Sequence, residues 1–255
     1  QLATSTARIA RECHRLYERV RISMFDGDRI EEKNIRRQNF CESEVGQNKA
    51  ESVAYRLNMA WGLDIEAFPL HFEGRHSHLG DRENTLTVLL GCVDTAAGRA
   101  TLHRAIANQT PEDDGQLWWI DGGCLHVHGQ ICLGNTGRPD VLARSFDIPN
   151  ICQALPSPAW VHPELLTPLP DEQPRRRRSC ADLAISDPQS LTINGVIAAH
   201  MADYLLRLVV TKDLRRFATY IDMESGSVRS LAITPTQVQR STPHQKEVPD
   251  DLDRS

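Results

Sequence analysis

Apolar positions in the first hundred residues recur at two alternating periods. Ile9, Cys13, Leu16, Tyr17 and Val20 fall at helical spacing and predict a helix over 2–18. A short apolar run predicts a strand at 20–25, and a polar loop follows at 26–44. Ala50, Val53, Ala54 and Leu57 form one stripe of a helix over 45–60. Strands are expected at 64–72 and 85–94, and a helix at 96–107. Near-continuous apolar strands alternating with amphipathic helices predict an α/β fold, with a parallel sheet covered on both faces. Ligands of such sheets bind beyond the carboxyl ends of the strands, where Asp26 and Asp94 both fall.

The second half is patterned differently. "LWWID" (117–121) and "HVHGQICLG" (126–134) read as strands joined by a turn at the Gly-Gly pair between them. Residues 135–190 are rich in proline, polar and charged residues, and a stretch that long without structure of its own usually serves function. A helix is expected at 190–210. It is apolar, but Asn194, His200, Asp203 and Arg207 mark it as a packing helix and not a membrane span. A hairpin at 216–233 turns at Glu224-Ser225-Gly226, and 236–255 lacks periodicity and is expected to be a disordered tail. This gives one domain over 1–235 with a long crossover segment at about 135–190.

Composition excludes several classes. A 40% hydrophobic, 25% charged chain of 255 residues has ample material for a core. Its net charge of −5 gives no general attraction to nucleic acid or to anionic membrane. Seven cysteines, an odd number without any C-x-x-C pair, argue against a disulfide framework and against a four-cysteine zinc site. A reducing cytoplasm is the expected compartment. His76 with His78 and His126 with His128 lack a third partner for a catalytic metal.

The chemistry concentrates in "DGDRIEEKNIRRQNF", which sets Asp26 and Asp28 at the end of a strand and then Asn34, Arg37 and Gln38. Together with G-Q-x-K-A-E (46–51), D-x(4)-R (94–99) and the Gly129-Gln130 pair, this ordered set resembles the ThiF/MoeB family, the adenylating domains shared with ubiquitin-activating enzymes. Within it, "VGQNKAESVAYRLN", "GLDIEAFPLHF", "SCADLAISDPQSLTIN" and "YIDMESGSVRSL" are similar to ThiF-like proteins of the plasmid-associated PRTRC gene systems.

The resemblance implies a Rossmann-like mixed sheet with helices on both faces and a long crossover loop. It also implies adenylation by ATP and Mg²⁺ of the C-terminal carboxylate of a ubiquitin-like (β-grasp) protein. Asp26 is then the ribose residue, and Asp28 orders the loop. Asn34, Arg37 and Lys49 meet the triphosphate, where donors offset developing charge, and Gln38 buttresses the loop. Asp94 coordinates magnesium, a role compatible with capping the helix that follows, and Arg99 has a supporting role. Cys180, behind Arg175 to Arg178, is the expected thioester nucleophile, because nearby cations favour a thiolate; the other cysteines fall mostly in predicted elements or tight turns. The arginine run reads more readily as a solvated, disordered stretch than as a docking surface. A conjugating-enzyme-like acceptor and a homodimer follow as partners.

The sequence also departs from the family. The G-x-G-x-x-G loop and the strand before it are missing ahead of "QLATSTARIA", as is the upstream arginine finger, so an N-terminal part is expected to be absent. Thr95 stands where asparagine commonly follows the magnesium acid, and the zinc-binding cysteine pairs are missing, so no structural zinc is expected. Alternatives are a sulfur-carrier activator without a thioester step, a scaffold that has lost ATP, and a nicotinamide-dependent oxidoreductase. The last leaves Asn34, Arg37, Lys49 and Asp94 without a task.

Overall fold

The computed structural model describes residues 1–35, 38–74, 85–109, 117–125, 127–148, 151–168 and 192–242. The chain divides into two compact units, Gln1–Glu73 with Gln189–Leu214, and Gly74–Pro188 with Arg215–Ser255.

In the first unit, α1 (Leu2–Cys13), β1 (Ile22–Phe25), a helical turn α2 (Glu32–Ile35), α3 (Lys49–Trp61) and β2 (Ile65–Phe68) follow in order. The strands pair in parallel with Ile22 opposite Ile65 and Phe25 opposite Phe68. Ala7, Ala54, Leu57 and Ile65 form the core, with Ile22, Met24, Val53 and Trp61 packed around it. α1 stops five residues short of the expected helix. Arg15 and Leu16 amides bond three residues back, to Glu12 and Cys13, which tightens the last turn and leaves Leu16 exposed. α3 begins at Lys49 instead of at 45, because the Asn48 side chain accepts the Glu51 amide, and it ends at Gly62 with φ +61°.

The helix Ile193–Leu206 completes this unit by packing on α1. With its continuation to Thr211 it is long and apolar enough to cross a membrane by length and composition. Here it buries Ile193, Ile197, Ala198, Met201, Tyr204 and Leu205, as a packing helix does. It runs into a π turn, Arg207–Thr211, and closes at Lys212 in the left-handed region, φ 52°. The Tyr17 hydroxyl donates to the Val209 carbonyl at 2.6 Å, and the Lys212 ammonium lies 5.6 Å from the Tyr17 ring centre.

The second unit is a five-stranded mixed sheet of order β3-β4-β5-β6-β7: Thr87–Gly91, Leu117–Leu125, His128–Gly134, Arg216–Asp222 and Ser227–Ala232. Only β3 and β4 are parallel. Trp119 and Ile120 are both fully buried, so β4 is covered on both faces at that point. α4 occupies Ala96–Ala107, as the apolar pattern predicts.

Three expectations for this unit need correction. Gly122 and Gly123 lie inside β4, paired with Ile131 and Gln130, so the reversal falls between Leu125 and His128. The stretch after β5 is not structureless over its described part: Pro139–Ala143, Pro158–Val161 and Pro163–Leu166 are helical. The Asn135 side-chain oxygen accepts the Leu155 amide at 2.7 Å, and the Ser157 amide donates to the Thr136 carbonyl at 2.8 Å, so the chain folds back on β5. Finally, the supposed tail begins with a helix, Pro235–Arg240, capped by Thr234 and burying Val238. Residues 243–255 lie outside the described residues.

Gly134 is fixed by this fold-back, since a Cβ there would sit 2.0 Å from the Pro156 carbonyl oxygen. Gly134→Ala is expected to destabilise the protein by ~1–3 kcal/mol through forced backbone movement. Urea unfolding measures it, and an unchanged midpoint would refute the fit.

Candidate functional site

The two acids at the end of β1 have different environments. The Asp26 amide donates to the Phe68 carbonyl at 3.2 Å and carries the strand pairing one residue further. Its Oδ1 accepts the Asp28 amide at 2.9 Å, which closes the turn through Gly27. Asn48 holds the same turn from outside, its Nδ2 donating to the Asp26 and Asp28 carbonyls at 2.6 and 3.1 Å. One residue on, the Lys49 amide donates to the Asp28 carbonyl at 3.0 Å, and its Nζ meets Asp28 Oδ2 at 2.8 Å.

Burial pushes the Asp26 carboxyl up, against the Asp28 amide and Lys49, which pull it down. The hydrogen bond from Lys49 holds Asp28 below the usual carboxylate range. Asp28 is therefore the ionised partner of Lys49. Asp26 is the half-buried acceptor.

The loop between this turn and α3 is anchored by a residue that the sequence reading passed over. Glu44 is buried; its carboxylate accepts from the Cys41 amide at 2.8 Å and from the Ser52 hydroxyl, and it faces Arg56 Nε at 3.1 Å. Burial alone would raise this carboxyl. Hydrogen bonds from Ser52 and from the Cys41 amide and thiol, with Arg56 beside it, hold it below the usual range. The Arg56 guanidinium also lies over the Phe40 ring at 5.6 Å. Glu44 stands three residues after Cys41 in a capping-box arrangement, a signal the sequence carried.

Within the polar loop, Asn34 is not a surface residue. It is 2% exposed, and its Oδ1 accepts the Glu31 amide at 2.9 Å. Ile30 beside it is also buried. Gln38 is exposed, its amide bonded to the Asn34 carbonyl at 2.8 Å. Arg37 lies outside the described residues.

In the second unit, Asp94 is exposed in the turn after β3. It does not cap α4. Thr95 does, its hydroxyl accepting the Gly98 amide at 3.2 Å, which leaves the Asp94 carboxylate free of that duty. One turn into α4, Arg99 Nε meets Asp121 Oδ2 at 3.3 Å, and both residues are buried. Burial raises the Asp121 carboxyl to about 6, although Arg99 pulls it down. Asp121, in the "WWID" strand, was not singled out by motif.

A profile of the ThiF family matches residues 19–242. The chain belongs to the ThiF family. Solved structures agree on the fold. E. coli MccB aligns with a TM-score of 0.54 at 14% identity, covering 89% of this chain and 58% of MccB. PaaA aligns with a TM-score of 0.51 at 16% identity, covering 83% of this chain and 55% of PaaA. A structure of E. coli MccB with ATP aligns with a TM-score of 0.50 at 17% identity, over 83% of this chain and 56% of that one. The chain thus spans little more than half the length of these proteins. No curated protein sequence matches it. The Rossmann-like α/β class expected from the sequence is the fold of these neighbours.

Of the residues expected to act in this ThiF-family chain, Asp26, Asp28 and Lys49 are brought together at one turn. Asn34 and Gln38 lie in the loop after it, and Asp94 belongs to the other unit. Cys180 and the arginines before it, like His76, His78 and His126, lie outside the described residues. Among the described cysteines, burial pushes the Cys13, Cys124 and Cys132 thiols up, and Cys152 to about 11, so these are poor nucleophiles at neutral pH. No group of three or more histidine, cysteine or acidic residues able to hold a metal ion occurs among the described residues.

Proposed function

We propose that this chain adenylates the C-terminal carboxylate of a ubiquitin-like, β-grasp protein with ATP, and passes the acyl group to Cys180. A carboxylate oxygen of the carrier protein attacks the α-phosphorus, the bond to the β-phosphate oxygen breaks, and pyrophosphate leaves. The Cys180 thiolate then attacks the acyl carbon and AMP departs, leaving a thioester for a conjugating-enzyme-like acceptor.

The observation that carries this reading is the turn at the end of β1, where a half-buried acid, Asp26, stands beside a lysine held by a second acid. A carboxylate with a free oxygen suits ribose hydroxyls. A lysine paired only with a largely exposed acid can exchange that partner for phosphate oxygens. Family membership and the solution of E. coli MccB with ATP support the same reading.

Arg37 and Lys49 supply positive charge toward the phosphates, Asn34 and Gln38 keep their loop in shape, and Glu44 ties that loop to α3. An exposed carboxylate such as Asp94 fits Mg²⁺, a hard ion that is commonly held by one or two carboxylates plus substrate phosphates. When bound, the ion would offset phosphate charge. The kinship with PRTRC-system proteins, the homodimer and the cytoplasmic setting belong to this proposal.

ATP–pyrophosphate exchange by the full-length gene product, with any small ubiquitin-like protein encoded nearby as the carrier, tests the reading. Exchange is expected to vanish in Arg37→Ala and to survive in Cys180→Ala. A thiocarboxylate product in place of a thioester would assign the chain to sulfur-carrier activation. No exchange with a folded partner would sink adenylation of that partner and favour the scaffold.

A further inference from the structure

The exit of β2 delivers to the two-acid turn a residue that no motif singled out. Three positions beyond Phe68, the exposed His71 lays its ring against Gly27. A Cβ built on Gly27 would fall 2.8 Å from His71 Nε2 and 3.0 Å from Cδ2 and Cε1. The backbone between Asp26 and Asp28 therefore carries no side chain where the imidazole sits.

The strand exits are held in place beneath this contact. Phe25 and Phe68 stack with ring centres 4.6 Å apart, and Phe72, next to His71, packs edge-on against Phe25 at 5.3 Å. His71 is near enough for its charge to favour the ionised form of both acids. Asp28 and Lys49 engage each other across the turn, which leaves Asp26 and the His71 ring as the polar groups beside Gly27.

That pairing has a definite chemistry. A sugar hydroxyl both donates and accepts. A carboxylate accepts a hydrogen bond from the hydroxyl, while an imidazole N–H can donate to its oxygen. We propose that His71 contacts the nucleotide sugar and, with Asp26, reads the ribose 2′-hydroxyl, so that the site selects ribonucleoside over 2′-deoxyribonucleoside triphosphates. This rests on the nucleotide reading of Asp26 given above.

The test is the affinity of the full-length gene product for ATP and for 2′-deoxy-ATP, measured by titration calorimetry. The native protein is expected to prefer ATP roughly tenfold or more, the worth of a hydrogen bond to a charged group. His71→Ala should lower the ratio severalfold, chiefly by weakening ATP, the remainder being held by Asp26. His71→Gln, which still offers an N–H, should restore part of it. Gly27→Ala, which displaces the ring, should match His71→Ala. Circular dichroism separates these outcomes from unfolding. A native ratio near one, or one that His71→Ala leaves unchanged, overturns the proposal while the nucleotide site stands. Binding of neither nucleotide by the native protein overturns both.

Discussion

Lys49→Met is expected to lower ATP–pyrophosphate exchange by ~10²–10³-fold, the cost of removing one positioned donor from developing phosphate charge. The lysine is the first residue of α3, its side chain is 16% exposed, and its ammonium lies 2.8 Å from an Asp28 carboxylate that is itself 59% exposed. Methionine retains the packed stem and removes only the charge. Asp28, the exposed partner, then regains water, so the loss of stability should stay under ~1 kcal/mol. Activity and stability thus separate in this variant. Asp28→Asn is the converse: it frees the ammonium and should leave exchange within about threefold, under ~1 kcal/mol of transition-state energy. Near-normal exchange in Lys49→Met would remove the lysine from the chemistry. Failure of Asp28→Asn alone would pass the role to the acid.

Arg99→Ala is expected to cost ~3–5 kcal/mol of folding stability at pH 7.5, because it strands a buried charge. Asp121 is 1% exposed, and Arg99 supplies its ion pair. The pH dependence has a definite sign. The folded-state carboxyl is raised to about 6 from the ordinary 3.8, so the folded protein holds a proton that the unfolded chain has already released. Stability from this group is present below pH 4 and is lost as pH rises through 6. Without Arg99 the folded value climbs further and the loss steepens. Urea unfolding at pH 5 and pH 7.5 should therefore show a smaller penalty for Arg99→Ala at the lower pH. The double variant Arg99→Met, Asp121→Leu should recover most of the loss, since apolar replacement of a whole buried pair is often neutral. Equal penalties at both pH values would refute the account.

The elements that the sequence made legible are those whose own apolar pattern decides them. α4 appears at the predicted bounds, and the strands at β1, β2 and β3 appear as shorter cores of the predicted runs. The errors arise where a local signal has a distant cause. Gly122-Gly123 looked like a turn, but glycine in a strand can also mark a close approach, and a Cβ at Gly123 would already touch the Arg99 guanidinium at 3.4 Å. Asn34 sits in a charged run and is buried because its side chain braces the Glu31 amide, which periodicity cannot register. At the site, the residue types carried Asp26, Asp28 and Lys49, but not the environments that make one acid a lysine's partner and the other an acceptor. Nor could spacing reveal His71, which reaches Gly27 only after two parallel strands align their ends.

The first unit is stitched from two segments far apart in the chain. α1 packs against a helix that starts at Ile193, so the N-terminal layer waits for a segment made some 180 residues later. During synthesis α3 and β2 can cover one side of α1, but the face that meets the later helix stays open while the whole intervening sheet emerges, and such exposed apolar surface invites aggregation. A fragment ending before residue 189 would contain the complete two-acid turn and still lack the helix that packs on α1. Binding experiments on such a fragment would report on an unfinished fold.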